Sequence, residues 1–176
     1  MTGQSPIPLI HLITGATGAG KTTYALALAA RCDGLRFSID DWMTTLFWMD
    51  SPSPIRHDWA LERIARCESL IGEQVRQLAA LGIPAILDLG FTTANHRRAF
   101  ADLARQMGLT AQLHWLDVPA EIRWTRVQAR NAQRGETFRM TVDRAMFDFM
   151  EDLWEPPGAD EMERLAGVRI SSPLAD

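Results

Sequence analysis

Short apolar runs alternate along the chain with longer segments in which apolar residues recur every three or four positions. The short runs predict five strands, at residues 9–14, 35–39, 85–89, 111–116 and 167–170. The longer segments predict helices, because apolar residues at that spacing form one stripe along a helical surface. Strands that alternate with helices are typical of a parallel sheet with crossover connections. The pattern therefore predicts an α/β fold in which helices flank a five-stranded parallel sheet.

The helical segments carry start and stop signals that set their predicted bounds. They cover residues 57–81, 92–108, 119–134 and 141–154, in addition to the alanine-rich segment after the first strand. Gly108 suits the left-handed position after a helix, and Pro119 suits a first helical turn. The proline-rich breaks at 51–54 and 155–158 are short enough to be loops. We therefore predict one domain over residues 1–176.

The bulk composition limits the classes of partner. The chain has 176 residues, 47% of them hydrophobic, and a formal net charge of −4, which gives no general attraction to nucleic acid or anionic membranes. Any basic site must therefore be a local patch. The two cysteines lack metal-ligand spacing, and no apolar run approaches the ~18 residues that span a bilayer. With no signal-peptide pattern at the N-terminus, these features predict a soluble cytoplasmic protein without a membrane partner.

The glycine-rich stretch GATGAGKT, residues 15–22, matches the full pattern G-x-x-x-x-G-K-[ST] between a predicted strand and a predicted helix. Glycines let backbone N–H groups turn toward phosphate oxygens at a helix N-terminus, whose dipole also favours anions. Lys21 would add a charge at the β- and γ-phosphates, and the Thr22 hydroxyl would bind Mg²⁺. The motif predicts a P-loop NTPase that binds ATP and Mg²⁺. The predicted nucleotide-binding residues are Gly15, Ala16, Thr17, Gly18, Ala19, Gly20, Lys21, Thr22 and Thr23.

Acidic residues follow two of the predicted strands, at the sheet edge where α/β folds place their ligands. Asp40 and Asp41 end the second strand, where a carboxylate would act as general base for a hydroxyl that attacks the γ-phosphate. From the residues alone, either aspartate could be the base, and either could cap a short helix. Asp88 ends the third strand and resembles the acidic Mg²⁺ position of P-loop proteins, although a turn residue is the alternative.

The segment after Pro119 is rich in arginine, with Arg123, Arg126, Arg130, Arg134 and Arg139. The middle three lie four residues apart on one helix face, where their charges repel each other unless an anion or water neutralises them. A solvated basic stripe is the usual interpretation of such a pattern. Beside a P-loop we instead predict a mobile lid, at about residues 130–140, whose Arg130 and Arg134 stabilise the transferring phosphate.

Aromatic and methionine side chains are concentrated just after the paired aspartates, in DWMTTLFWMDSPSPIRHDW. Such residues either belong to the core or form the wall of a pocket for a small molecule with an apolar body and a hydroxyl. Arg97 and Arg98 follow the third strand and leave a similar choice, between an acceptor pocket and a solvated helix start.

Together these segments resemble a family of small P-loop kinases that includes phage polynucleotide kinase, chloramphenicol phosphotransferase and the zeta-type toxin kinases. The resemblance covers most of the chain, through GATGAGKTTYA, FSIDDW, ILDLGFTTANHRRAF, LDVP, ARNAQRG and WEPPGADE. It implies a three-layer P-loop NTPase fold of the adenylate-kinase-like group with an arginine-bearing lid. It also implies that Asp40 is the general base and that Arg130 and Arg134 contact the nucleotide phosphates.

The sequence departs from the polynucleotide kinase pattern near the acceptor. Met43 stands where that enzyme has an arginine that helps to hold the acceptor or its phosphate. We therefore predict an ATP-dependent kinase of a hydroxyl on a small molecule, with Asp40, Lys21, Arg130 and Arg134 as catalytic residues. A kinase of polynucleotide 5′-hydroxyls or nucleotide-sugars is the first alternative, and a nucleotide-dependent switch without an acceptor is the second. The complete P-loop and both strand-end acids argue against an ATP-binding fold that has lost catalysis.

Overall fold

A five-stranded sheet forms the centre of the structure, a computed structural model that describes residues 10–54, 56–135, 138 and 140–171. The strands are β1 (Ile10–Thr14), β2 (Leu35–Ser38), β3 (Ala85–Asp88), β4 (Ala111–Leu116) and β5 (Val168–Ile170). They lie in the order β2-β3-β1-β4-β5, and each neighbouring pair is parallel. The predicted five-stranded parallel sheet is confirmed. Leu9, predicted to begin β1, lies outside the described residues.

Helices connect these strands. In the described ranges they are α1 (Lys21–Cys32), α2 (Ile39–Phe47), α3 (His57–Ala80), α4 (Ala94–Gln106), α5 (Ala120–Gln133), α6 (Arg144–Asp152) and α7 (Ala159–Arg164). The bounds of α3, α4 and α5 agree with the prediction to within two residues. None of the helices described here is both long enough and apolar enough to cross a membrane.

Side-chain caps explain where two helices depart from the predicted bounds. The Ser38 hydroxyl accepts a hydrogen bond from the backbone N–H of Asp41 at 3.2 Å, so α2 begins at Ile39, the last residue of the predicted strand. Neither aspartate of the pair is therefore the cap. Asp143 accepts a hydrogen bond from the backbone N–H of Met146 at 2.8 Å, and α6 accordingly begins later than predicted. The short helix α7 was not predicted, because six residues are too few to show a clear apolar period.

The sheet is buried on both faces, which gives three layers as predicted. Alternate strand residues, such as Leu12 and Leu87, face a cluster that α2, α3 and α4 complete. Their neighbours Ile13 and Ile86 face the opposite cluster, which includes the α1 residue Leu28. These strand residues are essentially inaccessible to solvent, and each such side chain contributes about 1.5–3 kcal/mol to folding.

A chain of polar groups crosses the α1 side of the sheet. His114 on β4 shares a hydrogen bond of 3.0 Å between its Nε2 and the Nδ1 of His11 on β1. Its Nδ1 shares a second hydrogen bond with the Tyr24 hydroxyl of α1, at 2.8 Å. Burial lowers the pKa of His114 to about 3, and His11 adds to this effect. A neutral histidine therefore ties α1 to the two strands behind the glycine loop.

Candidate active site

The glycine loop joins the end of β1 to the start of α1 and packs tightly against α5. Gly18 has a φ of +81°, and a Cβ atom built on it would lie 2.6 Å from the carbonyl oxygen of Arg123 and 2.9 Å from a methyl group of Val127. Gly20, immediately before α1, also has a positive φ of +92°. Only glycine fits these conformations without strain. The loop therefore has the open backbone and the helix N-terminus that an anion site requires.

Lys21 is the cation of this loop, and loop carbonyl groups hold it in place. Its Nζ donates hydrogen bonds to the carbonyl oxygens of Gly15 at 2.7 Å and Ala16 at 3.2 Å. Burial lowers the pKa of Lys21, whereas the carboxylates of Asp88 and Asp40 raise it. A desolvated ammonium in this position would gain most from a polyanionic ligand such as a triphosphate.

Asp40 lies near Lys21 at the same edge of the sheet, in the first turn of α2. Its side chain lines the cleft beside the loop and is exposed to solvent there. Desolvation raises the pKa of Asp40, and the nearby Asp88 adds to this effect. Lys21 and Arg130 lower the pKa and so oppose the shift. The structure thus brings together Asp40, Lys21, Asp88 and Arg130, which lie far apart in the sequence.

Arg36 donates a hydrogen bond to Asp41, the second aspartate of the Asp40–Asp41 pair. Its Nη1 donates a hydrogen bond of 3.0 Å to Oδ2 of Asp41, and its Nη2 donates one of 2.7 Å to Oδ2 of Asp88. The Arg36 Nε donates a further bond to that same Asp88 oxygen, at 3.1 Å. Sequence reasoning missed Arg36. The sequence does contain a signal for Arg36. It lies two residues before Ser38, so the two side chains lie on the same face of β2.

Arg130 is the predicted lid arginine that reaches the cleft. Its Nε is buried and, among the described residues, has no hydrogen-bond partner. Burial lowers the pKa of Arg130, and Asp40 opposes this shift. Arg126, one turn earlier, also lines the cleft, where its Nη1 lies 3.4 Å from the carbonyl oxygen of Ala19. These two guanidinium groups flank the loop from the side of α5.

The other arginines of the predicted stripe lie elsewhere. Arg134 follows α5 in a left-handed conformation with a φ of +48°, and its exposed side chain lies 5.5 Å from the ring centre of Phe138. It is not part of the described cleft lining. Arg139 and part of the predicted lid at 130–140 lie outside the described residues. The structure therefore places Arg130, but not Arg134, beside Asp40.

Arg123 has a structural role. It is 6% exposed, and its Nη1 donates a hydrogen bond of 3.1 Å to the carbonyl oxygen of Thr17 in the glycine loop. The same guanidinium makes a two-bond contact of 2.5 Å with the carboxylate of Glu151 on α6. Two parallel bonds of this kind fix orientation as well as distance. Arg123 thus ties α6 to the loop.

A cleft of about 730 Å³ opens beside the loop, and we divide its lining into two sets of residues, called the loop half and the methionine half. The loop half is lined by the glycine loop, Arg126 and Arg130. The methionine half is lined by polar residues around Asp40 and by methionine and tryptophan side chains. These apolar residues are Met43, Trp48, Met140, Met146, Met150 and Trp154.

The predicted aromatic wall is only partly present in this cleft. Met43 and Trp48 line it, whereas Trp42 packs edge-on against Phe37 in the core. Trp59 instead lies under the guanidinium of Arg63, at 4.1 Å. Sequence reasoning missed the contribution of α6. Its signal was the recurrence of Met146, Met150 and Trp154 every four residues.

Arg97 takes neither of the two positions considered from the sequence. It is fully buried, and its guanidinium donates two hydrogen bonds to the carboxylate of Glu161, at 2.7 and 2.9 Å. It also donates bonds to the carbonyl oxygens of Phe91 and Glu155. Arg97 therefore fastens the segment after α6 to the end of β3.

The residues predicted to hold Mg²⁺ fit a hard cation. Thr22 lies in the first turn of α1 beside Lys21 and lines the cleft. The Asp88 carboxylate, 6% exposed, lines the same cleft. Hydroxyl and carboxylate oxygens are ligands that Mg²⁺ prefers, and in nucleotide sites water and phosphate oxygens usually complete its shell. Thr22 and Asp88 would therefore hold Mg²⁺ against a bound triphosphate.

Comparisons with known proteins agree with this architecture. A family model described as an AAA domain, AAA_33, matches residues 10–157. The chain belongs to this family. The comparison of this AAA domain with curated protein sequences gives no match.

Solved structures share the fold of this AAA domain at low sequence identity. A gluconokinase from Sinorhizobium meliloti 1021 is 17% identical, with a TM-score of 0.65 over 95% of this chain and 85% of that chain. Kti12 from Chaetomium thermophilum, solved with ADP-AlF3, is 17% identical, with a TM-score of 0.69 over 92% and 88% of the two chains. The Pnkp1/Rnl/Hen1 RNA repair complex contains a chain that is 18% identical, with a TM-score of 0.64 over 86% of this chain and 45% of that chain. The predicted resemblance to small P-loop kinases is confirmed, while the roles of individual site residues stay predictions.

Proposed function

We propose that this protein is an ATP-dependent kinase that transfers the γ-phosphate to a hydroxyl group of a small molecule. The observation that carries the proposal is the convergence of Lys21, Asp40 and Arg130 beside the glycine loop. Phosphoryl transfer needs little covalent chemistry from a protein, but it does need cations at the phosphates and a group that positions the nucleophile. The cleft offers both.

In the proposed reaction, the acceptor hydroxyl oxygen forms a bond to the γ-phosphorus while the bond between that phosphorus and the β–γ bridging oxygen breaks. The bonding electron pair leaves with ADP, and the hydroxyl proton moves to the Asp40 carboxylate. Lys21 and Arg130 stabilise the charge on the transferring group, and Arg134 would add to this if the lid closes over the nucleotide. Mg²⁺, held by Thr22 and Asp88, would supply further neutralisation of phosphate charge.

The two neighbouring aspartates have different roles in this proposal. The raised pKa of Asp40 makes its ionised form a better proton acceptor than an ordinary aspartate. Asp41 instead accepts a hydrogen bond from Arg36. A carboxylate oxygen that already accepts a hydrogen bond from a guanidinium is not free to receive the proton of an acceptor hydroxyl. We therefore assign the base to Asp40 and a structural role to Asp41.

The pair Asp40→Asn and Asp41→Asn tests this assignment with matched variants. Asp40→Asn should lower transfer by about 10²–10⁴-fold, because it removes the proton acceptor and keeps the side-chain shape. Asp41→Asn should cause a much smaller loss. The measurement is transfer from γ-labelled ATP to pools of hydroxyl-bearing small molecules, with ATP affinity determined by calorimetry.

Calorimetry is the control, since both variants should bind ATP as the unmodified protein does. If the Asp40→Asn protein transferred phosphate at the original rate, Asp40 would not be the general base. Label that enters no acceptor pool while ATP hydrolysis continues would contradict the kinase proposal and favour a nucleotide-dependent switch.

A further inference from the structure

The methionine half of the cleft has apolar side chains from two separate segments of the chain. Met43 and Trp48 come from α2 and the turn after it, whereas Met146, Met150 and Trp154 come from α6 and the residues that follow. Trp48 remains 39% exposed, although it lies in a cleft lining. Thioether and indole groups bind apolar or aromatic surfaces through dispersion and sulfur–aromatic contacts. These walls therefore suit a ligand with an apolar body.

Hydrogen bonds hold the α6 wall, formed by Met146, Met150 and Trp154, at two points in its C-terminal part. At the first point, Glu151 is held by Arg123, which also binds the glycine loop. At the second point, the backbone N–H of Glu155 donates to the carbonyl oxygen of Thr92 at 3.0 Å, and the Glu155 carboxylate accepts from the backbone N–H of Ala94 at 2.7 Å. The wall is therefore preformed next to the carboxyl end of β3.

The charges in this half of the cleft are unfavourable for an anion. Asp40, Asp41 and Asp88 line the cleft. Lys21 and Arg130 also face Asp40, but in the proposed reaction the triphosphate engages both of these cations. Arg36 then remains, and it already donates hydrogen bonds to Asp41 and Asp88. Together with the three aspartates, Arg36 leaves a negative formal charge. An anionic ligand would meet this negative field without gaining a new ion pair.

We infer that the acceptor is an uncharged or cationic alcohol with an apolar or aromatic body, and that it carries no phosphate or carboxylate group. This inference rests on the proposed kinase function. The hydroxyl would lie at Asp40 and the apolar body between Met43 and the α6 wall. Met43, Met146, Met150 and Trp154 are then the residues that determine specificity.

Methionine methyl NMR tests the inference without requiring catalysis. The protein carries ¹³C-methyl methionine and a saturating, non-hydrolysable ATP analogue with Mg²⁺, so that the loop half is filled. The probes are 3-phenyl-1-propanol and 3-phenylpropanoate, which differ only in a hydroxymethyl group or a carboxylate. The alcohol should shift the methyl signals of Met43, Met146 and Met150, and it should bind at least about tenfold more tightly than the carboxylate.

Met49 provides an internal control, because it is 92% exposed and lies outside the cleft lining. Its signal should not respond to either probe. Equal or tighter binding of the carboxylate would overturn the inference. So would a failure of both probes to shift the three cleft methionines.

A matched pair of charge insertions sharpens the test. Met43→Arg places a cation in the methionine half and should reduce the preference for the alcohol by about tenfold, because the carboxylate gains an ion pair. Met49→Arg adds the same charge outside the cleft and should leave the preference unchanged. A Met43→Arg protein whose preference equals that of Met49→Arg would overturn the inference.

The transfer assay separates failure of this inference from failure of the kinase proposal. The acceptor pools are divided into neutral, cationic and anionic alcohols. Preferred labelling of the neutral or cationic pools supports the inference, whereas preferred labelling of the anionic pool overturns it and leaves the kinase proposal intact. Absence of label in every pool during continued ATP hydrolysis overturns both.

Discussion

The two halves of the cleft are built by different means. In the loop half, one short stretch of sequence supplies the backbone turn, the helix N-terminus and Lys21. In the methionine half, the lining comes from separate segments that meet only in the folded protein, on α2, α6 and the sheet edge. A site that is built from local backbone geometry can therefore be predicted from the sequence. A site that is assembled from side chains of distant segments cannot.

Their charges differ in the same way. The loop half holds Lys21, whose pKa burial lowers, and Arg130, whose Nε has no hydrogen-bond partner in the described structure. In the methionine half, Arg36 is paired with two carboxylates. Cations without a carboxylate hydrogen-bond partner attract a polyanion, whereas a cation paired with carboxylates mainly fixes geometry. This contrast supports the proposals that a triphosphate binds in the loop half and an uncharged body in the methionine half.

Among the residues of the loop half, the largest effect should come from Lys21→Met. We expect phosphoryl transfer to fall by at least about 10²–10³-fold, because the substitution removes a preorganised cation at the phosphates. Folding stability should stay unchanged or increase, since Met of similar shape removes the cost of a desolvated charge. Transfer assays and thermal unfolding on the same preparation measure the two effects.

A loss of stability in Lys21→Met, in parallel with the loss of transfer, would show that Lys21 holds the loop together. In that case the contrast between the two halves would be weaker, because the loop cation would also be structural. Met49→Ala, at an exposed position, is the control for both measurements.

A smaller loss, about 10²-fold in transfer, is expected for Arg130→Ala. Arg134→Ala should match it only if the segment around residue 134 closes over bound nucleotide, because the described structure places that side chain outside the cleft. Arg144→Ala is the matched control, since Arg144 is exposed and pairs with Asp148 on α6. Unchanged transfer in Arg130→Ala would return the α5 arginines to the solvated-stripe interpretation.

The strands, the helices and the glycine loop could be predicted from the sequence because each rests on a local period or motif. The partners of buried ions could not. Arg97 pairs with Glu161, and Arg36 pairs with Asp88, only after the helices and strands have packed together. His11 and His114 are likewise polar residues inside apolar runs, and their pairing depends on β1 lying next to β4. The residues of the α6 wall recur every four positions, which predicts that they share one helix face. The sequence does not indicate which element that helix face contacts.

The smallest effect should be the change in folding stability caused by Asp40→Asn. The pH dependence of this change tests the comparison between the two halves further. Because the pKa of Asp40 is raised in the folded state, the folded protein binds this proton more tightly than the unfolded chain does. Its contribution therefore becomes less favourable as pH rises from the unfolded pKa, about 3.9, through the higher folded pKa. Asparagine does not ionise, so the variant should be slightly more stable than the original protein at pH 7 and should lose this advantage in acid.

Denaturant unfolding between pH 4 and pH 7, without nucleotide or Mg²⁺, measures this difference. Asp88→Asn is the opposite case, because it removes one of the two carboxylates paired with the nearly buried Arg36 and should cost about 1–3 kcal/mol. If Asp40→Asn destabilised the protein at pH 7 as Asp88→Asn should, Asp40 would be a structural partner like Asp88. Ionisation of Asp40 would then not be unfavourable in the folded protein, and its raised pKa would no longer support a role as the base.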